Sequence, residues 1–260
     1  MIYKDQLHRN IELLNTPKRI ISLVPSQTEL LVALGLQDCI VGVTKFCVHP
    51  IHIRKDTFVV GGTKKIHLDK IEELNPDIIL CNKEENTKEI VEVLETKYTV
   101  HVSDISTMDE AIELIYQYGN IFNTQEAAKH LVSKILEEQK DFLEFIKYKP
   151  QKKVAYFIWR KPWMVAGKGT FIHHLLELNE FVNFYGNEER YPEISEEELT
   201  SLKNIDLILL SSEPFPFSEN HKQEVEKMIP DAKVVLVDGE YFSWYGSRLT
   251  SAFKYFKSLH

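Results

Sequence analysis

Apolar residues recur at helical spacing through Ala128, Leu131, Val132, Ile135, Phe142, Phe145 and Ile146, with Lys, Glu and Gln filling the gaps. The pattern predicts one long helix from about Thr124 to Tyr148, which neither Gly nor Pro interrupts before Pro150. At 1.5 Å per residue, a helix of roughly 25 residues runs close to ~40 Å, more than one small domain needs. On either side of it, short apolar runs alternate with amphipathic stretches. The first block reads as strands over Arg19 to Val24, Ile40 to Val43, Asp77 to Cys81 and Thr99 to Val102. Helices are expected from Ser26 to Leu34, Leu68 to Leu74, Glu89 to Leu94 and Met108 to Ile121. Ser26 and Glu29 have the spacing of a capping box, so a helix should start at Ser26 and end at Gly35. The second block reads as strands over Lys153 to Ile158, Asp206 to Leu210 and Lys233 to Val237. Its helices are expected over Thr170 to Leu178, Glu196 to Leu202, His221 to Met228, and onward from Ser247.

Strands alternating with helices argue for mostly parallel sheets covered on both faces. The fold class expected is therefore α/β, with two doubly wound α/β lobes, 1–122 and 150–260, joined by a single long rigid helix, 123–149. A long helix lying on one larger α/β domain is the alternative that periodicity leaves open. An internal echo favours two lobes. LDKIEELNPDIILCN, Leu68 to Asn82, and EELTSLKNIDLILLS, Glu197 to Ser211, share an acid, two apolar positions three apart, a polar turn and a buried strand. Aligning Ile71 with Leu199 and Leu74 with Leu202 leaves one extra residue in the second turn and makes Asp69 and Glu197 equivalent.

Composition narrows the function classes. With 43% apolar and 27% charged residues the chain is an ordinary globular one. Its 31 basic and 39 acidic residues give a net charge of -8, and no basic run could track phosphates, so nucleic acid is not an expected partner. Cys39, Cys47 and Cys81 form no disulfide framework. No apolar run is long enough to span a membrane. The first residues lack the apolar core of a signal peptide, so the chain as written is expected in the cytoplasm, or in the periplasm or on a lipid anchor if the true start lies upstream of Met1.

In open α/β sheets ligands bind beyond the carboxyl ends of the strands, so the loops after strands are where chemistry is sought. Those of the second lobe hold Trp159, Arg160 and Trp163, then Glu213, Phe215 and Phe217, then Glu240, Trp244 and Arg248. All three tryptophans of the chain fall there. Such rings suit a large flat ligand, with Arg160 and Arg248 available for its acidic groups; the other reading is that they cap the core beneath. The first lobe offers Ser26 and Gln27, then Phe46, Cys47 and His49. Pro50 keeps His49 and His52 from sharing a helix face, which weakens a metal site. No Walker A, GxGxxG or GxSxG motif is present.

RIISLVPSQTELLVALGL from Arg19, VGVT from Val41, LDKIEELNPDIIL from Leu68, the central helix and SRLTSAFKYF from Ser247 together resemble the substrate-binding proteins of iron-siderophore and vitamin B12 ABC importers, the helical-backbone metal receptors, and within them the cobalamin-binding type. The resemblance implies a bulky metal chelate, cobalamin-like first and siderophore or haem next, held between two lobes by a protein that acts as a monomer, is no enzyme and requires no cofactor. It also implies an ABC permease as partner, docked through Asp69 and Glu197. In the pocket it places Tyr191 where cobalamin binders have Trp, Phe46 or His49 where they have Tyr, and Glu240 and Trp244 near their last ligand-contacting loop. Lys64 and Asn82 depart from the pattern, since the family tends to place Trp there. The ligand-binding set expected is thus Ser26, Gln27, Phe46, His49, Trp159, Arg160, Trp163, Tyr191, Phe215, Phe217, Glu240, Trp244 and Arg248. Two other functions stay open: a cytoplasmic corrinoid- or cofactor-handling enzyme using Glu213, Glu240 or His49 as acid or base, and a zinc or manganese receptor using Cys47, His49 and His52.

Overall fold

Runs such as Ile78 to Asn82 and Leu207 to Ser211 are buried at every position, the signature of strands covered on both faces. The computed structural model describes residues 1–260, and its contacts divide them into two units. The first comprises Met1–Ile105, Asp109–Leu136 and Trp244–Thr250; the second comprises Ser106–Met108, Glu137–Ser243 and Ser251–His260.

In the first unit an antiparallel pair, β1 (Ile2–Lys4) and β2 (Asn10–Glu12), precedes the main sheet. There follow β3 (Ile20–Ser22), α1 (Pro25–Ala33), β4 (Ile40–Val43), α2 (Ile53–Asp56), β5 (Phe58–Val59), α3 (Leu68–Leu74), β6 (Ile78–Asn82), α4 (Lys88–Glu95), β7 (Val100–Ser103) and α5 (Met108–Ile121). The five strands β5-β4-β3-β6-β7 lie in that order and are all parallel. The chain winds outward from β3 to β5 and returns to β6, so the order reverses between β3 and β6. Ile21, Leu23, Ile71, Ile79, Cys81, Leu94 and Val102 fill one side of this sheet.

The long helix is α6 (Gln125–Ile146), 22 residues or about 33 Å at 1.5 Å per residue. Its residues through Leu136 belong to the first unit and those from Glu137 to the second. Gly119 of α5 lets it approach: a Cβ there would stand 2.7 Å from that of Ala128. Phe142, further along, packs 5.8 Å from Phe253. Phe145 is half exposed, so the apolar stripe is narrower than its sequence pattern suggests.

The second unit is built from β8 (Lys152–Trp159), β9 (Trp163–Val165), α7 (Phe171–Leu178), β10 (Phe181–Asn183), β11 (Glu193–Ile194), α8 (Glu196–Ser201), β12 (Leu207–Ser211), α9 (Glu219–Met228), β13 (Lys233–Val237), α10 (Glu240–Ser243) and most of α11 (Leu249–Phe256). β8, β12 and β13 run parallel. The other edge of β8 is shared, β10 pairing parallel along Lys152 to Val154 and β9 antiparallel at Phe157 and Trp159. β11 extends β9, also antiparallel. Here the order reverses between β8 and β12.

The α/β class with parallel sheets and helices agrees with the expectation. Three local expectations are corrected. Helix α1 starts at Pro25 with Val24 as an uncapped N-cap, so Ser26 lies inside the helix and forms no capping box with Glu29; proline is itself suited to that first position. The short strands β1, β2, β5, β9, β10 and β11 carry too few residues to show a periodicity. Finally, the segment Trp244–Thr250, expected in the second lobe, groups with the first unit because its side chains bond there, as described next.

Candidate functional site

At the carboxyl ends of β3, β6 and β7 the first unit holds a closed polar network. The Gln27 amide nitrogen donates to the Ser103 hydroxyl at 2.6 Å and to the Tyr245 hydroxyl at 3.1 Å. Its carbonyl oxygen accepts from the Tyr118 hydroxyl at 2.8 Å. Asn82 donates to Ser103 Oγ at 3.0 Å. All of these side chains are buried, and burial pushes the Tyr245 hydroxyl up to about 12, so it stays a neutral donor and acceptor. Buried polar groups of this kind are retained because each partner is satisfied. Gln27 and Ser26, expected to face ligand, are buried instead: Gln27 has no exposed surface and Ser26 only 5%.

The same segment supplies Trp244, buried, whose ring meets His49 edge-on at 5.5 Å. Arg248 stacks over that indole at 4.8 Å and is held by both oxygens of Glu29, at 2.8 and 3.1 Å. Trp244 and Arg248 thus stand in the first unit, against the expectation that they line the second, and Arg248 has its carboxylate partner already. Phe46 remains half exposed beside Lys45. A metal site from Cys47, His49 and His52 does not form. The Cys47 thiol is buried against the Thr28 and Thr44 hydroxyls, and burial pushes its pKa up. His52 instead reaches Gln37. No group of three or more His, Cys, Asp or Glu side chains is placed to hold a metal ion.

In the second unit the corresponding edge is aromatic. Trp159, 38% exposed at the end of β8, meets Phe215 edge-on at 5.6 Å. Phe215 is partly buried and leans on His221, whose Nδ1 accepts from the Ser218 N–H at 3.0 Å to close the cap of α9. Trp163 and Phe217 differ from the expectation. Their rings stack at 6.1 Å inside the hydrophobic core, buried against Phe157 and its neighbours, and offer a ligand almost nothing. Arg160 is paired with Glu224 at 2.5 Å and lies over Trp163. Tyr191 is partly buried next to Arg190, and Glu240 is partly buried at the start of α10. Glu213, a candidate acid or base, accepts from the Ser243 hydroxyl at 2.5 Å, a contact that fastens the loop after β12 to α10.

Asp69 and Glu197 are both exposed and are the second residues of α3 and α8. Each helix leads into the strand at which the sheet order reverses, β6 or β12. The turns between are built alike. Asn75 and Asn204 both adopt left-handed conformations, at φ 41° and 58°. Two residues on, Asp77 N–H donates to the Arg19 carbonyl at 2.8 Å and its carboxylate accepts from Arg19 N–H at 2.9 Å. Asp206 makes the same reciprocal pair with Lys153, at 2.9 and 2.7 Å. The extra residue in the second turn is Lys203, placed ahead of the left-handed asparagine.

Sequence comparison gives this architecture a family. A profile of periplasmic binding proteins matches residues 20–234, most of the chain. The chain belongs to the periplasmic binding protein family. An ABC transporter substrate-binding lipoprotein of Bacillus subtilis is 27% identical over 206 residues, covering 76% of this chain and 65% of that protein. A vitamin B12-binding protein of Vibrio cholerae is 26% identical over 192 residues, 70% of this chain and 66% of that one. The chain thus spans just under two thirds of the length of these curated relatives. Among solved structures, a periplasmic heme-binding protein of Pseudomonas aeruginosa superposes with a TM-score of 0.79 at 21% identity, over 94% of this chain and 92% of that one.

Membership of this periplasmic binding protein family overturns the cytoplasmic expectation. The family is periplasmic and the Bacillus relative is a lipoprotein, whereas the first residues of a sequence carry no information about compartment when what precedes them is not specified. No helix is long and apolar enough to cross a membrane. The residues that sequence reasoning missed in this periplasmic binding protein are Tyr118, Ser103 and Tyr245, the partners of Gln27. A serine closing a strand and a tyrosine inside a helix carry no signal of their own; only the meeting of β7, α5 and the 244–250 segment makes them a network.

Proposed function

We propose that this chain is the ligand-binding component of an ABC importer whose cargo is a bulky metal chelate, a corrinoid first, with siderophores and haem as the other members of the class. The observation that carries the proposal is the aromatic edge of the second unit, where Trp159 stands exposed and braced by Phe215 at the carboxyl ends of β8 and β12. Large rings held by neighbours bind flat or greasy ligands at little entropic cost. Phe46 offers a second exposed ring, at the carboxyl end of β4 in the first unit. His49, Tyr191 and Glu240 join these rings as ligand contacts in this reading. Family membership and the B12-binding relative support it. Binding without turnover fits too, since Glu213 is engaged in a structural contact and His49 packs on Trp244.

Asp69 and Glu197 are the docking points for a permease in this reading. They are exposed, carry the same charge, and occupy equivalent helix positions in two like-built turns. The test is a titration of the purified chain with cobinamide, cyanocobalamin, ferric hydroxamates and haem, followed by tryptophan fluorescence and melting temperature. A ligand at a hundredfold excess over Kd should add about 2.7 kcal/mol of stability. Trp159→Ala should weaken binding by about tenfold or more while leaving the melting temperature of the free protein nearly unchanged. Silence from every chelate, or an unaffected Trp159→Ala titration, overturns the reading.

A further inference from the structure

The stretch Ala166-Gly167-Lys168-Gly169-Thr170, between β9 and α7, carries two glycines yet fits no phosphate-binding pattern. In the second unit it lies beside the segment 185–191 and is laced to it through the backbone. Gly167 N–H donates to the Arg190 carbonyl at 2.7 Å, Arg190 N–H to the Lys168 carbonyl at 2.8 Å, and Lys168 N–H to the Glu188 carbonyl at 2.8 Å. Beyond Tyr191 the lacing continues. Val165 N–H donates to the Pro192 carbonyl at 3.2 Å, and Ile194, buried in the core, stands in register opposite Trp163. Tyr191 is thus carried between two fixed points of backbone.

Two residues make this arrangement possible. At Gly167 a Cβ would stand 2.2 Å from the Glu188 carbonyl oxygen and 3.1 Å from that of Tyr185, so any side chain would push the laced segments apart. Arg190 adopts a left-handed backbone, φ 58°, that turns the chain directly before Tyr191. Its guanidinium donates through Nη1 to the Gly169 carbonyl at 3.2 Å and lies over the Tyr191 ring, 5.9 Å from its centre. A ring held through its backbone and by a planar cation over it loses little freedom when a ligand arrives, and that preorganisation adds affinity.

We infer that Gly167 and Arg190 are positioning residues for Tyr191, acting on the cargo only by fixing where that ring stands. This rests on the reading of Tyr191 as a contact for the chelate. The experiment is a double-mutant cycle on the full chain, titrated with cyanocobalamin, haem and a ferric trihydroxamate, with circular dichroism and melting temperature recorded for each variant. Tyr191→Ala and Gly167→Ala should each weaken the chelate that binds by about tenfold, and the double variant by no more than about twofold beyond the larger single loss. Arg190→Gly, which keeps the left-handed turn and removes the guanidinium, should weaken it by about threefold and add nothing in the Tyr191→Ala background. A merely structural role lowers affinity whether or not the ring is there. Losses at Gly167 and Arg190 that add to that of Tyr191→Ala therefore overturn the inference, as do unchanged affinities in folded Gly167→Ala and Arg190→Gly. Should Gly167→Ala not fold, the Arg190→Gly cycle decides alone. If Tyr191→Ala binds like the unchanged protein, the role of Tyr191 falls and this inference with it, while chelate binding stands. If none of the three chelates binds, the chelate reading falls as well.

Discussion

The two units share a frame and differ in furnishing. In both, a short helix with an exposed acid at its second position leads into a turn that holds a left-handed asparagine, and an aspartate two residues after that asparagine clamps the next strand to the neighbour across the sheet. Yet the carboxyl edge of the first sheet is a closed set of amide and hydroxyl groups around Gln27, whereas the second has the Tyr156 hydroxyl bonded to Ser211 at 3.1 Å and, at the end of β8, the exposed ring of Trp159 against Phe215. The difference teaches that the frame is set by backbone needs common to any βα turn of this geometry, while the loops beyond the strands are free to take up chemistry. Burial divides the two edges: the network in the first unit is enclosed, whereas Trp159 in the second keeps 38% of its surface exposed.

The comparison can be broken most directly at its polar side. Gln27→Leu leaves three hydroxyl groups, on Ser103, Tyr118 and Tyr245, with a lost partner in a buried site, and should cost at least about 3 kcal/mol in urea unfolding. A cost below about 1 kcal/mol would mean the network is ornamental. A comparable effect is expected from pH. Burial first, and Arg9 in addition, hold His101 down at about 4, against Gln117 and Asp5, which favour its charged form. The folded pKa lies below the unfolded value, so the unfolded chain binds the extra proton. Stability is therefore full above about pH 6.5 and falls as pH drops toward 4, by on the order of 3 kcal/mol for this group. His260, also lowered to about 4 chiefly by burial, adds to the same window. Melting curves of His101→Gln should show a shallower loss between those limits; an unchanged slope refutes the assignment.

The shared frame is tested by paired substitution. Asp77 accepts two backbone N–H groups, of Lys18 and Arg19, and Asp206 one, of Lys153. Asp77→Ala should cost about 2 to 3 kcal/mol and Asp206→Ala about 1.5 to 2, because each removes hydrogen bonds to a charged acceptor. If Asp206→Ala were neutral, the likeness of the turns would have no energetic content. The smallest effect is expected in the second unit. Tyr156→Phe removes one bond from Ser211, whose hydroxyl keeps its own acceptor in the Glu213 carbonyl at 2.6 Å, so a loss of about 1 kcal/mol suffices. An equal cost to Gln27→Leu would erase the contrast between the two edges.

Much of the frame was legible beforehand. Helices α3 and α5 fall on the predicted residues, and α6 within a residue or two of each end, since long or strongly periodic segments report their own structure. The candidate site was legible only as a roster. Trp159 and Phe215 meet as ring partners, but Trp163 and Phe217 bear the same residue types in the same loops and turn inward to the core. Arg160 and Arg248 read as anion receptors because sequence spacing does not reveal Glu224 or, across more than two hundred positions, Glu29.

What the sequence determined by itself was the alternation of elements, the long central helix and the equivalence of Asp69 with Glu197, all of which follow from local periodicity and turn chemistry over a dozen residues or so. Tertiary structure alone decided that Trp244 to Thr250 join the first unit, that Gln27 is consumed by Tyr118 and Tyr245, and which rings remain exposed. Those outcomes depend on which distant side chains arrive at one point, and burial and pairing energies are set at that point rather than along the chain.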